Sequence, residues 1–255
     1  MINTLDPLYA FIYELTGLTF PANNRSTLDT KVSRFFEKKS ILEENSVTSV
    51  QSDSQLLQEL LDFLTVNESY FFREMAVIDE MIKRINQRPG KVRILCAPSS
   101  SGEESYTIVM ALLKAGKPAS EIEIVGIDIN SSVIDMAQEA LYTKRRVHRV
   151  EESDLERYFT LEDDKYRLKD EVRQCVSFSK LNIFDTAISG LGRFDIVFSR
   201  NMLIYFDKES SKRAEKVFYD VLKPDGYLLV GHADFISNSM GFDVEMHNGH
   251  YFYKK

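Results

Sequence analysis

Lys91-Val92-Arg93-Ile94-Leu95-Cys96-Ala97-Pro98-Ser99-Ser100-Ser101-Gly102-Glu103-Glu104 changes character twice in a short space. Val92–Ala97 is an apolar run too short for a buried helix, and it reads as a strand covered on both faces. Small polar residues and one glycine follow. From Glu103 the apolar positions Tyr106, Val109, Leu112 and Leu113 recur at helical spacing. A buried strand, a small-residue loop and a helix are the first half of a βαβ unit.

The pattern repeats outward from there. Ile122–Ile127 (IEIVGI) ends at Asp128, and helical spacing resumes over Val133–Leu141. Phe194–Ser199 (FDIVFS) precedes a helix near Lys208–Leu222. Lys223-Pro224-Asp225-Gly226 reads as a turn before the strand Tyr227–Gly231, and VEMHNGHYFY as a hairpin turning at Asn248-Gly249. Short strands alternating with helices of about a dozen residues predict an α/β fold with a mostly parallel sheet. Residues 143–175 break the rhythm with a charged stretch, and an antiparallel element is expected near Tyr166–Val176. Upstream of the first strand the texture is helical. Leu28, Val32, Phe35 and Phe36 share one face, Leu56, Leu57, Leu60, Leu61 and Leu64 another, and Leu5–Leu15 suits a shorter helix.

Composition narrows the function. The chain has 255 residues, 44% apolar and 28% charged, with a net charge of −7. An acidic chain lacks the global electrostatic footprint of a nucleic-acid binder and leaves room only for a local basic patch. Cys96 and Cys175 are isolated, which predicts reduced core thiols rather than a disulfide framework or a zinc site. The first residues, MINTLDPLYAFIYELTG, lack the layout of a secretory signal. No apolar run reaches the ~18 residues of a membrane span.

In open α/β sheets ligands bind at the carboxyl ends of the strands. The first such end, Pro98–Glu104, lacks G-x-G-x-x-G and has no basic residue, which argues against nicotinamide dinucleotides and nucleoside triphosphates. A phosphate-free adenosyl ligand suits it better, and the ammonium group of such a ligand favours nearby acids such as Glu103. At the second end Asp128 either accepts the hydroxyls of a ribose or caps the next helix, as Asn130 and Ser131 also could. At a later end, Ser199-Arg200-Asn201 precedes a half-turn carrying Tyr205, either a packing residue or part of the site. Thr65–Glu74 (TVNESYFFRE) joins the helical and sheet parts, either as an aromatic anchor or as a functional segment.

Read in order, these segments resemble the chemotaxis receptor methyltransferase family, CheR. Its pattern T-x-N-x-T-x-F-F-R corresponds to Thr65–Arg73, S-x-G-E-E-x-Y to Ser100–Tyr106, and the D-I-D-type strand end to Asp128. F-D-x-I-F-x-R-N-x-x-I-Y-F corresponds to Phe194–Phe206, L-K-P-D-G to Leu222–Gly226, and G-H to Gly231-His232. The resemblance covers nearly the whole chain. It implies an all-α N-terminal domain over residues 1–75. It also implies a Rossmann-like catalytic domain over 76–255 that binds S-adenosylmethionine (SAM), with a small β insertion at about 143–178. Carried over by motif position, the cofactor pocket uses Asn67, Ser69, Arg73, Glu103, Asp128, Asn182, Ile183, Ser199 and Arg200, with Asn182 placed by the stretch VSFSKLNIF. Arg73 and Tyr205 become the catalytic pair.

The implied reaction esterifies glutamates on the cytoplasmic helical domain of a receptor and releases S-adenosylhomocysteine. It needs no metal, and a cytoplasmic monomer without membrane insertion is expected. The helical domain would dock the receptor through Lys31, Arg34 and Lys38, a basic face opposite the apolar stripe, whose plainer reading is a solvated surface. Ser69 stands where Thr is usual, Ser105 replaces a Pro, Pro98 stands where a small residue is frequent, and Ala233-Asp234 replaces Ser-Glu. Residues 143–178 contain no glycine, which argues against a tail-peptide grip in the insertion. Two other readings share the same sheet-end residues: a SAM-dependent methyltransferase of another protein or of a small molecule, and a non-catalytic SAM-binding docking module.

Overall fold

The computed structural model describes residues 4–20, 25–86 and 89–255. Four helices come first: α1 (Asp6–Thr16), α2 (Arg25–Glu37), α3 (Ser46–Ser52) and α4 (Ser54–Leu64). The α/β region begins with α5 (Met75–Asn86), β1 (Val92–Cys96), α6 (Glu103–Lys114), β2 (Ile122–Asp128) and α7 (Ser131–Glu139). Next come β3 (Leu141–Thr143), α8 (Glu152–Tyr158), β4 (Phe159–Glu162), β5 (Lys165–Leu168) and the single turn α9 (Asp170–Arg173). The chain ends with β6 (Val176–Lys180), β7 (Phe194–Ser199), α10 (Lys208–Val221), β8 (Leu222–Val230), β9 (Asp243–His247) and β10 (His250–Lys254).

Seven strands form one sheet in the order β6-β2-β1-β7-β8-β10-β9. The first five are parallel, and β10 and β9 add antiparallel at one edge. Ile94 on β1 stands beside Ile124 on β2 and Ile196 on β7. These three, with Cys96 and Phe198, pack under α5 and α6 against Ile78, Met81, Tyr106 and Val109. The alternate residues Leu95, Val125, Val197 and Leu228 face the other way, onto Ala214, Phe218 and Val221 of α10. Helices on both faces explain why these strands carry consecutive apolar residues, Ile94–Cys96 in β1 and Ile196–Phe198 in β7, rather than an alternation.

The N-terminal helices bury a cluster of their own, including Leu8, Ile12, Val32, Phe36, Leu60 and Leu61, with Ile129 of the β2–α7 junction packed against it. The expected stripes face this cluster. Val32, Phe36, Leu56, Leu60 and Leu61 are buried, and Leu28, Phe35, Leu57 and Leu64 are partly so. Asp62 links the two parts. Its carboxylate accepts bonds from the backbone N–H and hydroxyl of Ser131 and from the Ser132 hydroxyl, so α4 holds the N-terminus of α7.

Three expectations need correction. The antiparallel element expected near 166–176 lies earlier, as a three-stranded sheet β3-β5-β4. Val176–Lys180, assigned to the insertion, is instead the edge strand β6 of the main sheet, paired in parallel with β2. An edge strand is wetted on one side. Its Ser-Phe-Ser-Lys alternation therefore hides a parallel strand that sequence reading expects to be apolar throughout. The expected turn at Lys223–Gly226 is a bulge within a continuous β8, because Phe194 pairs with Leu222 and Ile196 with Tyr227. The hairpin at Asn248-Gly249 has positive φ at both residues (49° and 79°), as its tight turn requires.

Burial raises the Asp62 carboxyl, but the bonds from Ser131, Gln58 and Ser132 outweigh it and leave the group below the ordinary Asp value. A depressed folded value means that this stabilisation is present above pH ~4 and is lost as pH falls through the folded value. Asp62→Ala is expected to cost ~1–2 kcal/mol in urea denaturation at pH 7, and distinctly less near pH 3.

Candidate functional site

Chain order reverses between β1 and β7. From β1 the chain steps outward to β2 and β6, then returns to β7 and steps the other way to β8. Such a reversal leaves a crevice at the carboxyl ends of the strands. Here it opens into a cleft of about 1220 Å³ of empty space, its mouth included. Its lining comes from Thr65–Tyr70 and Arg73, Ala97–Ser100 and Glu104, Asp128, Asn182-Ile183, Arg200–Met202 and Tyr205-Phe206 among the segments singled out in the sequence. Leu222–Gly226, Gly231-His232, the insertion, the hairpin and the basic face of α2 contribute nothing to it.

The loop after β1 forms one wall. The Ala97 N–H bonds to the Phe198 carbonyl (2.9 Å) and the Ser99 N–H to the Ile127 carbonyl (2.8 Å), so the loop hangs between the two neighbouring strands. Ser100 (φ 46°) and Gly102 (φ 89°) turn it into α6. A Cβ on Gly102 would meet Phe178, Ala137 and Tyr106 at 3.0–3.1 Å, so the glycine serves both its φ and its packing. Ser100 lines the cleft, and its hydroxyl is buried with no partner. A buried unpaired hydroxyl costs free energy unless a ligand satisfies it.

Asp128 closes the loop from below. It is only 6% exposed. One carboxylate oxygen accepts the Ser100 N–H (2.9 Å) and the other the Asn130 N–H (2.9 Å). Burial raises this carboxyl above the ordinary Asp range, against the pull of those bonds. Each oxygen keeps a lone pair for a further donor. Asp128 does not cap α7; Asn130 does, accepting the Val133 N–H at 3.1 Å. Asn182 and Ile183 border the same cleft. Asn182 also donates to the Leu15 carbonyl (2.7 Å), so it ties α1 to the sheet.

Charge at the inner end is tightly paired. Arg200, 5% exposed, is held by Glu104 of α6 and by Glu74 (2.7 Å) just before α5. Burial lowers the pKa of its guanidinium, but the two carboxylates outweigh that and leave it raised. Two expected pocket residues fall outside the cleft. Glu103, wholly buried, turns away to Arg146 (3.0 Å) and the Ser101 hydroxyl (2.9 Å). Ser199, the last residue of β7, is buried in the interior. Glu104, next to Glu103, and Asn201, two residues after Ser199, line the cleft instead. Consecutive residues diverge by about 100° on a helix, so one position decides which of the two acids reaches the ligand. Asn201 follows the end of β7, where its positive φ (59°) turns the chain.

Asn67, Ser69, Tyr70 and Arg73 form the opposite wall. Phe71 is the anchor of this segment, packed edge-on against Tyr142 (4.8 Å) and Phe159 (5.3 Å). Phe72 (φ 59°) and Glu74 (φ 50°) are in the left-handed region, uncommon for such residues, and the strained turn between them directs Arg73 to the cleft. Arg73 donates to the Glu68 carbonyl (3.1 Å). Across from it Tyr205 lines the mouth, and its carbonyl accepts the Thr19 N–H (2.9 Å) and hydroxyl (2.8 Å). Asp234 gathers the backbone N–H groups of Asn201 (2.6 Å), Ile204 (3.1 Å) and Gly231 (2.9 Å), which fixes the loop carrying Tyr205. Lys31 and Arg34 lie exposed on α2 and Lys38 just past its end, away from the cleft, and none forms an ion pair among the described residues.

Residues 67–250 match the family described as CheR methyltransferase, SAM binding domain. The chain belongs to the CheR methyltransferase family. It is 38% identical to a chemotaxis protein methyltransferase of Campylobacter jejuni, over 93% of this chain and 90% of that protein. It is 34% identical to chemotaxis protein methyltransferase 2 of Vibrio cholerae, over 89% and 83% of the two chains. A chemotaxis protein methyltransferase of Borreliella burgdorferi is 29% identical over 95% and 91%. Among the described residues no group of three or more His, Cys, Asp or Glu is placed to hold a metal, and no helix is long and apolar enough to cross a membrane.

Several residues of this CheR-family site escape sequence reading. Glu104 is one position from the expected Glu103, and Asn201 two from the expected Ser199. Glu74, Asp234 and Arg146 act through partners distant in sequence, and for Arg146 the only signal is the basic run that contains it. Arg146 holds the segment of Asn67 and Arg73 by donating to the Ser69 carbonyl and by accepting the Phe71 N–H (3.0 Å) at its own carbonyl. Removing its side chain strands a buried carboxylate. Arg146→Ala is expected to cost ~3 kcal/mol in urea denaturation, and the double variant Glu103→Gln/Arg146→Ala clearly less, because no charge is then left unpaired.

Proposed function

We propose that this chain transfers a methyl group from SAM to glutamate side chains on the cytoplasmic helical domain of a methyl-accepting, chemotaxis-type receptor. The products are a glutamate methyl ester and S-adenosylhomocysteine. The observation that carries this reading is convergence. Asp128 and the serine loop, which suit an adenosyl ligand, open into the same cleft as Arg73 and Tyr205, which suit a carboxylate.

The residues present fit SAM. Asp128 has lone pairs to spare for ribose hydroxyls, and the unpartnered Ser100 hydroxyl lies beside it. Ile129 and Ile183 offer apolar flanks. Glu104 and Asn67 place acceptors where a methionine ammonium can be held. Ser69 and Arg200 complete the pocket, with Arg200 positioning Glu104 through their ion pair.

Bound SAM supplies an electrophilic methyl group on a sulfonium. The acceptor glutamate is ionised at pH 7, so no general base is required. Consistent with that, no His, Cys or Lys is found among the described residues that line the cleft. The task of the protein is alignment and exclusion of water. Arg73 and Tyr205 each donate a hydrogen bond to one oxygen of the carboxylate and leave the other oxygen facing the methyl. With SAM bound, that oxygen would be placed to take the methyl, forming a C–O bond as the C–S bond breaks with its electron pair left on sulfur. In this reading the helical region docks the receptor through Lys31, Arg34 and Lys38, and the protein works in the cytoplasm as a monomer.

Calorimetry with SAM and S-adenosylhomocysteine tests the first half, with micromolar binding expected and lost in Asp128→Ala. Methylation of a receptor cytoplasmic fragment, read as base-labile methanol, tests the second. Tyr205→Phe is expected to lower kcat ~10²-fold with the Kd for SAM unchanged, the signature of a donor used only in the transition state. SAM binding without any base-labile ester would favour a docking module.

A further inference from the structure

The cleft mouth carries cations that the methyl transfer does not use. Residues 140–150 contain Lys144, Arg145, Arg146 and Arg149 and no Asp or Glu, in a chain of net charge −7. Arg146 turns inward to Glu103. Lys144, Arg145, His148 and Arg149 are exposed, and none of them pairs with a carboxylate among the described residues. The next acids along the chain, Glu151 and Glu152, belong to the start of α8.

The segment is held in place. Val147 and Val150 are buried, and turns close it through Arg146 N–H to the Thr143 carbonyl (2.9 Å) and Val150 N–H to the Val147 carbonyl (2.9 Å). It also abuts the site. The Arg149 guanidinium is 5.0 Å from the ring centre of Tyr70, and the His148 ring is 5.1 Å from it. Arg73 approaches the same ring at 5.7 Å. Tyr70 and Arg73 line the cleft, so the cations border the opening through which an acceptor side chain must pass.

We propose that Lys144, Arg145 and Arg149 form a second docking surface that grips the acidic helix of the protein substrate, through glutamates flanking the one being methylated. This rests on the reading of the substrate given above. Like charges held this close repel one another within a Debye length of ~8 Å, and an anionic partner relieves that repulsion. The surface also senses the reaction. Each transfer turns a carboxylate into a neutral ester, so the grip is strongest on the unmodified helix and weakens as product accumulates. It lies apart from the basic face of α2, and two separate grips orient a helix where one cannot.

The test uses Lys144→Glu/Arg145→Glu, two exposed residues outside the cleft, with a receptor cytoplasmic fragment as substrate. A second fragment has the glutamates flanking the target changed to Gln. For the double variant the KM for the first fragment is expected to rise about tenfold, with kcat, the Kd for SAM and the melting temperature unchanged. The wild type is expected to discriminate between the two fragments and the variant to treat them nearly alike. An unchanged KM, with the same loss of kcat/KM on adding salt as the wild type, overturns the proposal. Loss in the variant of binding to phosphatidylserine vesicles, with KM unchanged, also overturns it and assigns the patch to a membrane surface. A wild type that forms no ester on either fragment removes the proposed function, and this inference with it.

Discussion

Arg200 is buried where three segments meet, with Glu104 of α6 on one side and Glu74 at the head of α5 on the other. A guanidinium cannot shed its charge when buried, so both carboxylates must stay in place. Burial raises the Glu74 carboxyl, but Arg200 more than offsets this and holds it below the usual range. The pairing sets the distance between the sheet end and the segment carrying Asn67, Ser69 and Arg73. That segment has little regular structure of its own, with turn geometry from Phe71 to Glu74. The buried triad and the grip of Arg146, with Phe71 packed on Tyr142 and Phe159, hold it over the cleft.

The N-terminal helices are part of the same construction. Thr19 binds the Tyr205 carbonyl, Asn182 binds the Leu15 carbonyl, Tyr13 donates to Asp207 (2.9 Å), and Asp62 holds the start of α7. Each link joins the N-terminal region to a segment that follows a strand of the sheet, beside the cleft. The parts that distinguish this chain from a bare nucleotide-binding sheet therefore also shape its site. A change on the helical side has a direct route, through the residue 17–19 connection, to the loop that presents Tyr205.

Charge is distributed unevenly for an acidic chain. Many cations are consumed in pairs with neighbouring acids, among them Arg93 with Glu123 and Lys114 with Asp154. Among the described residues, six that form no such pair stand in two sets, Lys31, Arg34 and Lys38 at α2 and Lys144, Arg145 and Arg149 beside the cleft mouth, while others such as Lys208, Lys212 and Arg213 lie on α10. Net charge alone conceals this, because association depends on the local field within about a Debye length rather than on the sum over the chain.

Periodicity and motif order, which are local, determined most of what was legible without coordinates. The two-sided apolar strands, the helical stripes facing Leu60 and Ile12, the Asn248-Gly249 turn and the family resemblance all depend on residues close together in the chain. So does the list of segments that meet at the sheet ends. Tertiary structure alone decided the rest. Sheet order placed Val176–Lys180 at an edge, where its polar alternation is tolerated. Helix phase turned Glu103 inward to Arg146 and Glu104 outward to Arg200, although the two acids are adjacent and chemically alike. The roles of Arg146, Glu74 and Asp234 were invisible for the same reason: each acts on groups brought near only when the chain closes, and spacing along a sequence carries no record of that distance.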